Sequence, residues 1–370
     1  MQEQQSFSFS AQVWKRLKKN KGGMFGLIII VLAVVIAVLG YFIAPDDSPN
    51  ADLQTVEIQA KKPGYTQLFL KVPDFRNSFP GNWFTTMLNG SNNNYRYIPI
   101  SKYSINGDAL FIHKYVDEDT SVLQSYSIHQ LTNDHPEQLL KQNIIKKKYW
   151  LGTDKFGRDI LSRLIIGTRV SLAVGLIAVI ISLSLGITLG AVAGYYRGRT
   201  DAIIMWFINV TWSIPTLLLV FAITLALGKG FWQIFIAVGL TMWVSVARLI
   251  RGQVLAIKEL EYVQAARALG LSDARIIIRH ILPNILGPVM VIAASNFATA
   301  IIIEAGLSFL GIGVQPPQPS WGLMIKENYN FIITHNPLLA LIPGFAIMLL
   351  VLAFNLLGNG LRDAVDVKTI

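Results

Sequence analysis

Six stretches of this chain run long and apolar without a single charged residue: Met24–Ala44, Val170–Tyr196, Ala202–Gly228, Gly230–Ala247, Ile281–Ile303 and Asn336–Leu361. A helix that crosses the hydrocarbon core of a bilayer needs about 20 such residues. Only helices and closed barrels satisfy their own backbone there, so runs of this length predict an all-α polytopic membrane protein of about six transmembrane helices. A seventh uncharged run, 305–325, contains "VQPPQPSWG". Pro316, Pro317 and Pro319 cannot sustain a helix ladder, which predicts irregular backbone near the membrane surface or lining a cavity.

Composition agrees with that reading. Of the 370 residues 52% are hydrophobic and 15% charged, against about 25% charged in a soluble domain. The net charge of +10 would suggest nucleic acid in a soluble protein, but its distribution gives another cause. Basic residues collect in the N-terminal tail (Lys15, Arg16, Lys18, Lys19, Lys21), in "YYRGRTD" (Arg197, Arg199), in the 248–282 loop (Arg248, Arg251, Lys258, Arg267, Arg275, Arg279) and in the C-terminal tail (Arg362, Lys368). The short loops of the opposite side carry only Lys229 and Lys326. Cytoplasmic loops attract such an excess, so both termini are expected in the cytoplasm and no nucleic-acid partner is needed. The chain has no cysteine, which removes disulfides, thiolate chemistry and iron–sulfur clusters. Its five histidines show no metal-binding spacing, so no metal site is expected.

This topology divides the chain into a basic tail (1–23), a first span (24–44), an outer segment (45–150) and a core with five further spans (151–370). The first span follows "WKRLKKNKGG", as a signal peptide would. Its apolar core is too long for one, and no A-x-A cleavage site follows, so it is expected to remain as an anchor. In the outer segment "YTQLFLKV", "YRYIPI" and "ALFIHKYV" have strand composition, and "NGSNNN" marks a turn. "SVLQSYSIHQLTNDHPEQLLKQNIIKKK" has a more helical one. The expectation is a small α+β extracytoplasmic insertion, either a stabilising cap or a docking surface for an external partner.

Before the second span stands "LGTDKFGRDILSRLIIGTRVSL". Asp154/Arg158, Lys155/Asp159 and Asp159/Arg163 are spaced i,i+4, a pattern that supports helices. With the apolar stripe of Ile160, Leu161, Leu164 and Ile165, it predicts an amphipathic helix on the outer membrane face. Inside the second span, Gly186, Gly190 and Gly194 form a side-chain-free ridge of the kind that packs helices in lipid, against the same chain or another subunit. Trp212–Ser213–Ile214–Pro215 predicts a kink in the third span. Glu304, at the end of the fifth, is a possible pathway or gate residue if it faces the protein, and a plain interfacial carboxylate if it does not.

No phosphate-binding loop of the form GxxxxGK[ST] occurs, nor a nucleophile–base constellation, so the chain is not expected to be an enzyme and energy for active transport has to come from elsewhere. The 248–282 loop supplies a place for it to arrive. Lys258–Leu269 reads as an alanine-rich helix (Ala265, Ala266, Ala268). Gly270 supplies a stop at positive φ, Ser272 stands where it can cap a second helix with Asp273 in its first turn, and Arg275 and Arg279 share a face. Pro283 opens the next span. Such a helix–turn–helix can sit in a groove of a partner, or bind anionic headgroups as a basic surface loop.

Ala265, Ala266, Gly270, Leu282, Pro283 and Asn284, as "AAxxxG…LPN", resemble the EAA loop of ABC-importer permeases. "LGTDKFGRDILSRLIIGTRVSL", "EYVQAARALGLSDARIIIRHILPN" and "GLSFLGIGVQPPQPSWGLM", in that order, with the closing "GLRDAVDVK", are similar to the C-type permease subunit of dipeptide/oligopeptide importers, whose relatives carry nickel or glutathione. The resemblance covers the first span and about 150–368. It implies the type I ABC-importer permease fold in a bacterial cytoplasmic membrane. It also implies a second, non-identical permease, two cytoplasmic ATPases that hold ATP and magnesium, and an external substrate-binding protein. Glu261, Tyr262, Gln264, Ala265, Ala266, Arg267, Gly270, Arg275, Arg279 and Pro283 would then form the ATPase-coupling loop. Two departures stand out: Gln264 replaces the family glutamate, and the 45–150 insertion is longer than expected. A stand-alone secondary carrier and a membrane-anchored binding or sensor protein remain as alternatives. The absence of an acid–histidine relay or an inverted repeat weighs against the carrier, and the number of spans against the sensor.

Overall fold

The computed structural model describes residues 9–73, 82–91, 95–107, 109–131, 143–228, 230–334 and 336–366. Its helices are α1 (Phe9–Leu17), α2 (Lys21–Ile43), α3 (Trp83–Asn89), α4 (Ile128–Leu131), α5 (Ile160–Tyr196), α6 (Gly198–Trp212), α7 (Thr216–Leu227), α8 (Phe231–Lys258), α9 (Glu261–Ala268), α10 (Asp273–Leu310), α11 (Trp321–Asn328), α12 (Phe331–Thr334) and α13 (Leu338–Val365). Among the described residues α2, α5, α8, α10 and α13 are each long and apolar enough to cross a membrane. The kink expected in the third span is present and large: α6 and α7 meet at 94° across Ser213–Pro215. Pro215 has no N–H to continue the ladder, and Ser213 closes α6 with its own N–H on Asn209 O.

The chain divides into two compact units, one made of Met1–Val34, Ser171–Gln315 and Phe345–Ile370, the other of Val35–Val170 and Pro316–Gly344. In the first, α10 is continuous through an irregular joint. Residues 273–276 are α-helical, Ile277–Ile281 form a π turn, Leu282–Ile285 a 3₁₀ turn, and α-helix resumes at Leu286. Pro283 sits where the ladder changes from i→i−5 to i→i−3, so its missing N–H interrupts little. The span therefore begins before Pro283 and extends beyond Ile303, ending at Gly311 with φ 86°.

The second unit contains a five-stranded antiparallel sheet, β1 (Tyr65–Pro73), β2 (Tyr95–Asn106), β3 (Ala109–Tyr115), β4 (Ser121–Ser127) and β5 (Ile144–Tyr149), in the order β4-β3-β2-β1-β5. Leu70 pairs with Ile98 on one side and Ile144 on the other. One face buries Leu70, Ile98, Ile100, Leu110 and Ile112 under Ile128 and Leu131; the other buries Phe69, Tyr115 and Tyr149 with Ile58. The three expected strands are present. The 121–148 stretch, expected to be helical, instead supplies β4 and β5 at its ends, with α4 between; residues 132–142 and the last three residues of "NGSNNN" lie outside the described residues. Helical composition gave way to pairing: β4 docks along β3 from Ser121↔Tyr115 to Ser127↔Ala109.

In the same unit α3 exposes Trp83, Phe84 and Leu88, and the Trp83 ring stacks on Phe42 at 5.9 Å. Phe42 lies at the end of a span, where aromatic side chains favour the membrane–water interface.

Candidate functional site

The short helix α9 is fixed from within. Val263 and Ala266 are buried in a cluster with Tyr195 of α5, Val246, Ile250 and Val254 of α8, and Ile276, Ile281 and Ile285 of α10. Hydrogen bonds add to this packing. Lys258 Nζ donates to Tyr195 O at 2.6 Å, Tyr195 Oη to Asp273 Oδ1 at 2.7 Å, and Asn284 Nδ2 to both His280 O (2.7 Å) and Tyr262 Oη (3.1 Å). Gly270 ends the helix at φ 78°, as its sequence position predicts. Ser272 takes the N-cap position before Asp273 without a capping hydrogen bond from its side chain.

Outward, the same element is bare. Glu261, Tyr262, Gln264, Ala265, Arg267, Ala268, Gly270, Arg275, Arg279 and Pro283 are exposed, and Leu269 is 82% exposed. Two expected roles separate here: Ala265 faces out, whereas Ala266 is an internal packing residue. Gln264 Nε2 donates to Lys258 O at 2.9 Å, closing the end of α8. An ionised glutamate has no proton to give to that carbonyl, so the departure from the EAA pattern exchanges an acceptor for a donor.

The glycine ridge packs against the same chain. A Cβ at Gly186 would lie 2.4 Å from Val246 Cβ, at Gly190 2.4 Å from Ala247 O, and at Gly194 2.9 Å from Arg251 O and Val254 Cβ. The three glycines thus bring α5 into backbone contact with α8, which carries α9 at its end. At the base of α8, Arg251 pairs with Asp201 through both guanidinium and carboxylate edges, at 2.5 and 2.6 Å.

Glu304 is fully buried, which removes interfacial exposure as its explanation. Its Oε1 accepts from Ser308 Oγ at 2.7 Å, and that hydroxyl accepts from Val314 N at 3.0 Å. The carboxylate therefore anchors the turn that follows α10.

Sequence reasoning missed a buried ion cluster in the sheet-bearing unit. Residues 151–159 are not a helix, and α5 begins only at Ile160. Gly152 and Gly157, at φ 84° and 74°, fold the backbone so that Asp154 Oδ1 accepts from Phe156 N (2.8 Å) and Arg158 N (3.0 Å). The charges expected on a membrane surface turn inward. Arg158, its side chain 2% exposed, reaches Asp154 at 2.7 Å, Asp52 at 3.0 Å and Glu327 at 2.6 Å. Arg163 stands over the same carboxylates at 3.4–3.8 Å. Burial works against the charge on Arg158, but the carboxylates of Asp154 and Glu327 outweigh it and hold the guanidinium above its ordinary pKa. Asp159 beside the cluster caps α5, accepting from Ser162 N at 2.9 Å. Burial, with a smaller contribution from Asp46, pushes its carboxyl above the usual range, against the hydrogen bonds from Ser162.

Comparison with known proteins identifies the family to which the chain belongs. Residues 186–370 match the family described as binding-protein-dependent transport system inner membrane component, and residues 8–60 the N-terminal TM domain of oligopeptide transport permease C. The glutathione transport system permease protein GsiD of Pectobacterium atrosepticum is 44% identical over 60% of this chain and 73% of its own. The dipeptide transport system permease protein DppC of Alkalihalophilus pseudofirmus is 44% identical over 60% and 72%, and the oligopeptide transport system permease protein OppC of Bacillus subtilis 40% over the same shares. With two family matches along its length and this degree of identity to permeases, the chain belongs to the binding-protein-dependent transport system inner membrane components and is a multi-pass permease subunit of an ABC importer.

Proposed function

We propose that this chain forms half of the pathway of an ATP-driven importer for peptides or a related small solute, and that α9 with its flanking turns couples it to a cytoplasmic ATPase. In this reading both termini, residues 1–23 and the loop 248–282 face the cytoplasm, 45–150 is an extracytoplasmic cap, and 151–370 is the transport core. The partners are a second, non-identical permease, two ATPases binding ATP and magnesium, and an external binding protein. The solute class rests on the names of the similar permeases, which include dipeptide, oligopeptide and glutathione systems.

The observation that carries the coupling reading is the two-sided character of α9. Ala265, Ala268 and Leu269 form an outward surface of small and apolar residues. Val263 and Ala266 lock the opposite side to helices α5, α8 and α10. A partner gripping the outward side moves the helices with it, because a packed core transmits displacement rather than absorbing it. ATP-driven switching then shifts the spans between two arrangements that the partner contacts differently.

The test is uptake of a labelled dipeptide into vesicles holding the full complex. Leu269→Asp places a charge on the outward surface without touching the core, and Gly270→Pro blocks the stop at positive φ. Both are expected to lower ATP-dependent uptake by roughly tenfold or more, with the chain still in the membrane and still bound to its second permease. Normal uptake by Leu269→Asp would remove α9 as the coupling element.

A further inference from the structure

We propose that an apolar groove between α1, the adjoining ends of α2 and α13, and Leu286–Met290 of α10 holds one anionic phospholipid, its chain along the groove and its phosphate against the basic edge of α1. The groove has a volume of about 440 Å³, and its lining, which includes Val13, Trp14, Leu17, Leu286, Met290 and Leu361, is almost wholly apolar. That volume lies within the range of ligand-sized clefts, about 300–1,000 Å³.

Three of the contributing helices are long and apolar enough to cross a membrane, and α1 is packed on the last turns of α13. Val13 and Leu17 pin it to Ala364, Leu357 and Leu361 of α13, and the turn after it is drawn in by Gly23 and Gly360. A Cβ on Gly360 would lie 2.7 Å from the Gly23 Cα. The groove is thus apolar where the spans line it, with Lys18 set beside its Trp14 wall.

The rim decides the occupant. Lys15, Arg16, Lys18, Lys19 and Lys21 fall within a few residues, and no Asp or Glu occurs between Phe9 and Pro45. Lys18 Nζ lies 5.1 Å from the centre of the Trp14 ring, and Trp14 is itself part of the groove wall and 45% exposed. Arg16 Nη1 donates to Ala364 O at 3.4 Å, holding that charge over the end of α13. Across from it Asp363 is already engaged, accepting from Asn20 at 2.9 Å. A partner helix seated here would strip these cations of water. A phosphodiester at the headgroup plane neutralises them where they stand, each charge contributing about 1 kcal/mol, a factor of about five.

The experiment uses the full chain with its co-purifying subunits in phosphatidylcholine nanodiscs. These carry either a phosphatidylglycerol or a phosphatidylcholine with a photoactivatable acyl chain, and the labelled peptides are mapped by mass spectrometry. Phosphatidylglycerol is expected to label α1, Leu286–Met290 and Leu357–Leu361 several-fold over phosphatidylcholine. Lys18→Gln, which removes a charge at an exposed position and keeps a long side chain beside Trp14, should lower the phosphatidylglycerol labelling about fivefold and leave the phosphatidylcholine labelling as it was. Leu361→Trp, which fills the groove, should lower both. Added inorganic phosphate should not compete. Equal labelling by the two lipids, indifference to Lys18→Gln, displacement by free phosphate, or a co-purifying protein cross-linked in place of lipid would each overturn the assignment.

Discussion

Two segments of this chain carry charges at helical spacing, 154–163 and 261–279, and fold in opposite ways. In the first, Asp154, Arg158 and Arg163 converge on a buried cluster with Asp52 and Glu327. In the second, Glu261, Arg267, Arg275 and Arg279 point away from a small apolar core. Each contains a glycine at positive φ. At Gly157 a Cβ would lie 1.7 Å from Thr55 O, whereas at Gly270 it would meet nothing within 4 Å. The first glycine is there so that two pieces of backbone can touch, the second so that a helix can stop. Charge spacing alone does not distinguish these uses; what surrounds the glycine does.

The largest effect should come from breaking the inward cluster. Arg158→Leu leaves Asp154, Asp52 and Glu327 with Arg163 alone, at 3.4–3.8 Å, and removing one partner of a buried ion pair costs about 3–5 kcal/mol. Thermal unfolding in mild detergent should register it as a marked fall in midpoint, and an unchanged midpoint would mean that the cluster does not hold this unit together. The paired substitution Gly157→Ala and Gly270→Ala sharpens the contrast. Both incur the strain of a side chain at positive φ, about 1–2 kcal/mol. Only Gly157→Ala adds a backbone clash, about 1–3 kcal/mol more. Equal losses of stability would erase the distinction between the two turns.

The smallest effect concerns Asp159. Its carboxyl is raised by burial, so the folded protein holds that proton more tightly than the unfolded chain does. Stability from this group therefore rises as pH falls from above the raised value toward the ordinary carboxylate pKa, and is lost as pH climbs back through that window. Asp159→Asn keeps an acceptor for the cap of α5, since Asn and Asp cap equally well, and removes the buried charge. Its stability at neutral pH should match or exceed the parent's by up to about 1 kcal/mol, an advantage that shrinks as pH falls through the acidic range. An advantage that grows as pH falls in unfolding titrations would show that the ionised form is the favoured one.

Much of this molecule is legible in one dimension. Long uncharged runs mark the spans because lipid leaves the backbone no other option, and Gly186, Gly190 and Gly194 announce a close helix contact because nothing else at that spacing permits one. Gly270 marks its turn in the same way. The inward cluster is not legible because its members come from far apart: Asp52 and Glu327 lie 106 and 169 residues from Arg158. Local spacing describes a helix face and is silent about such partners. The 94° break between α6 and α7 was visible as Pro215 but not in size, which depends on what each half packs against. β4 was hidden for a related reason, since an edge strand takes its conformation from the strand beside it.

The π turn at Ile277–Ile281 has a mechanical consequence for what precedes it. It holds one residue more than an α-helical turn needs and ends two residues before Pro283, which donates no hydrogen bond. Returning that surplus residue to the regular ladder would swivel the preceding backbone by about 100° and change its reach by about 1.5 Å. The hydrogen bonds of Leu286–Leu310 would be untouched. The surplus residue thus stays put only because Ile276 and Ile281 are packed into one core with Val263 and Ala266, so that core, rather than the hydrogen-bond ladder of the span, fixes the direction of Asp273–Ile276.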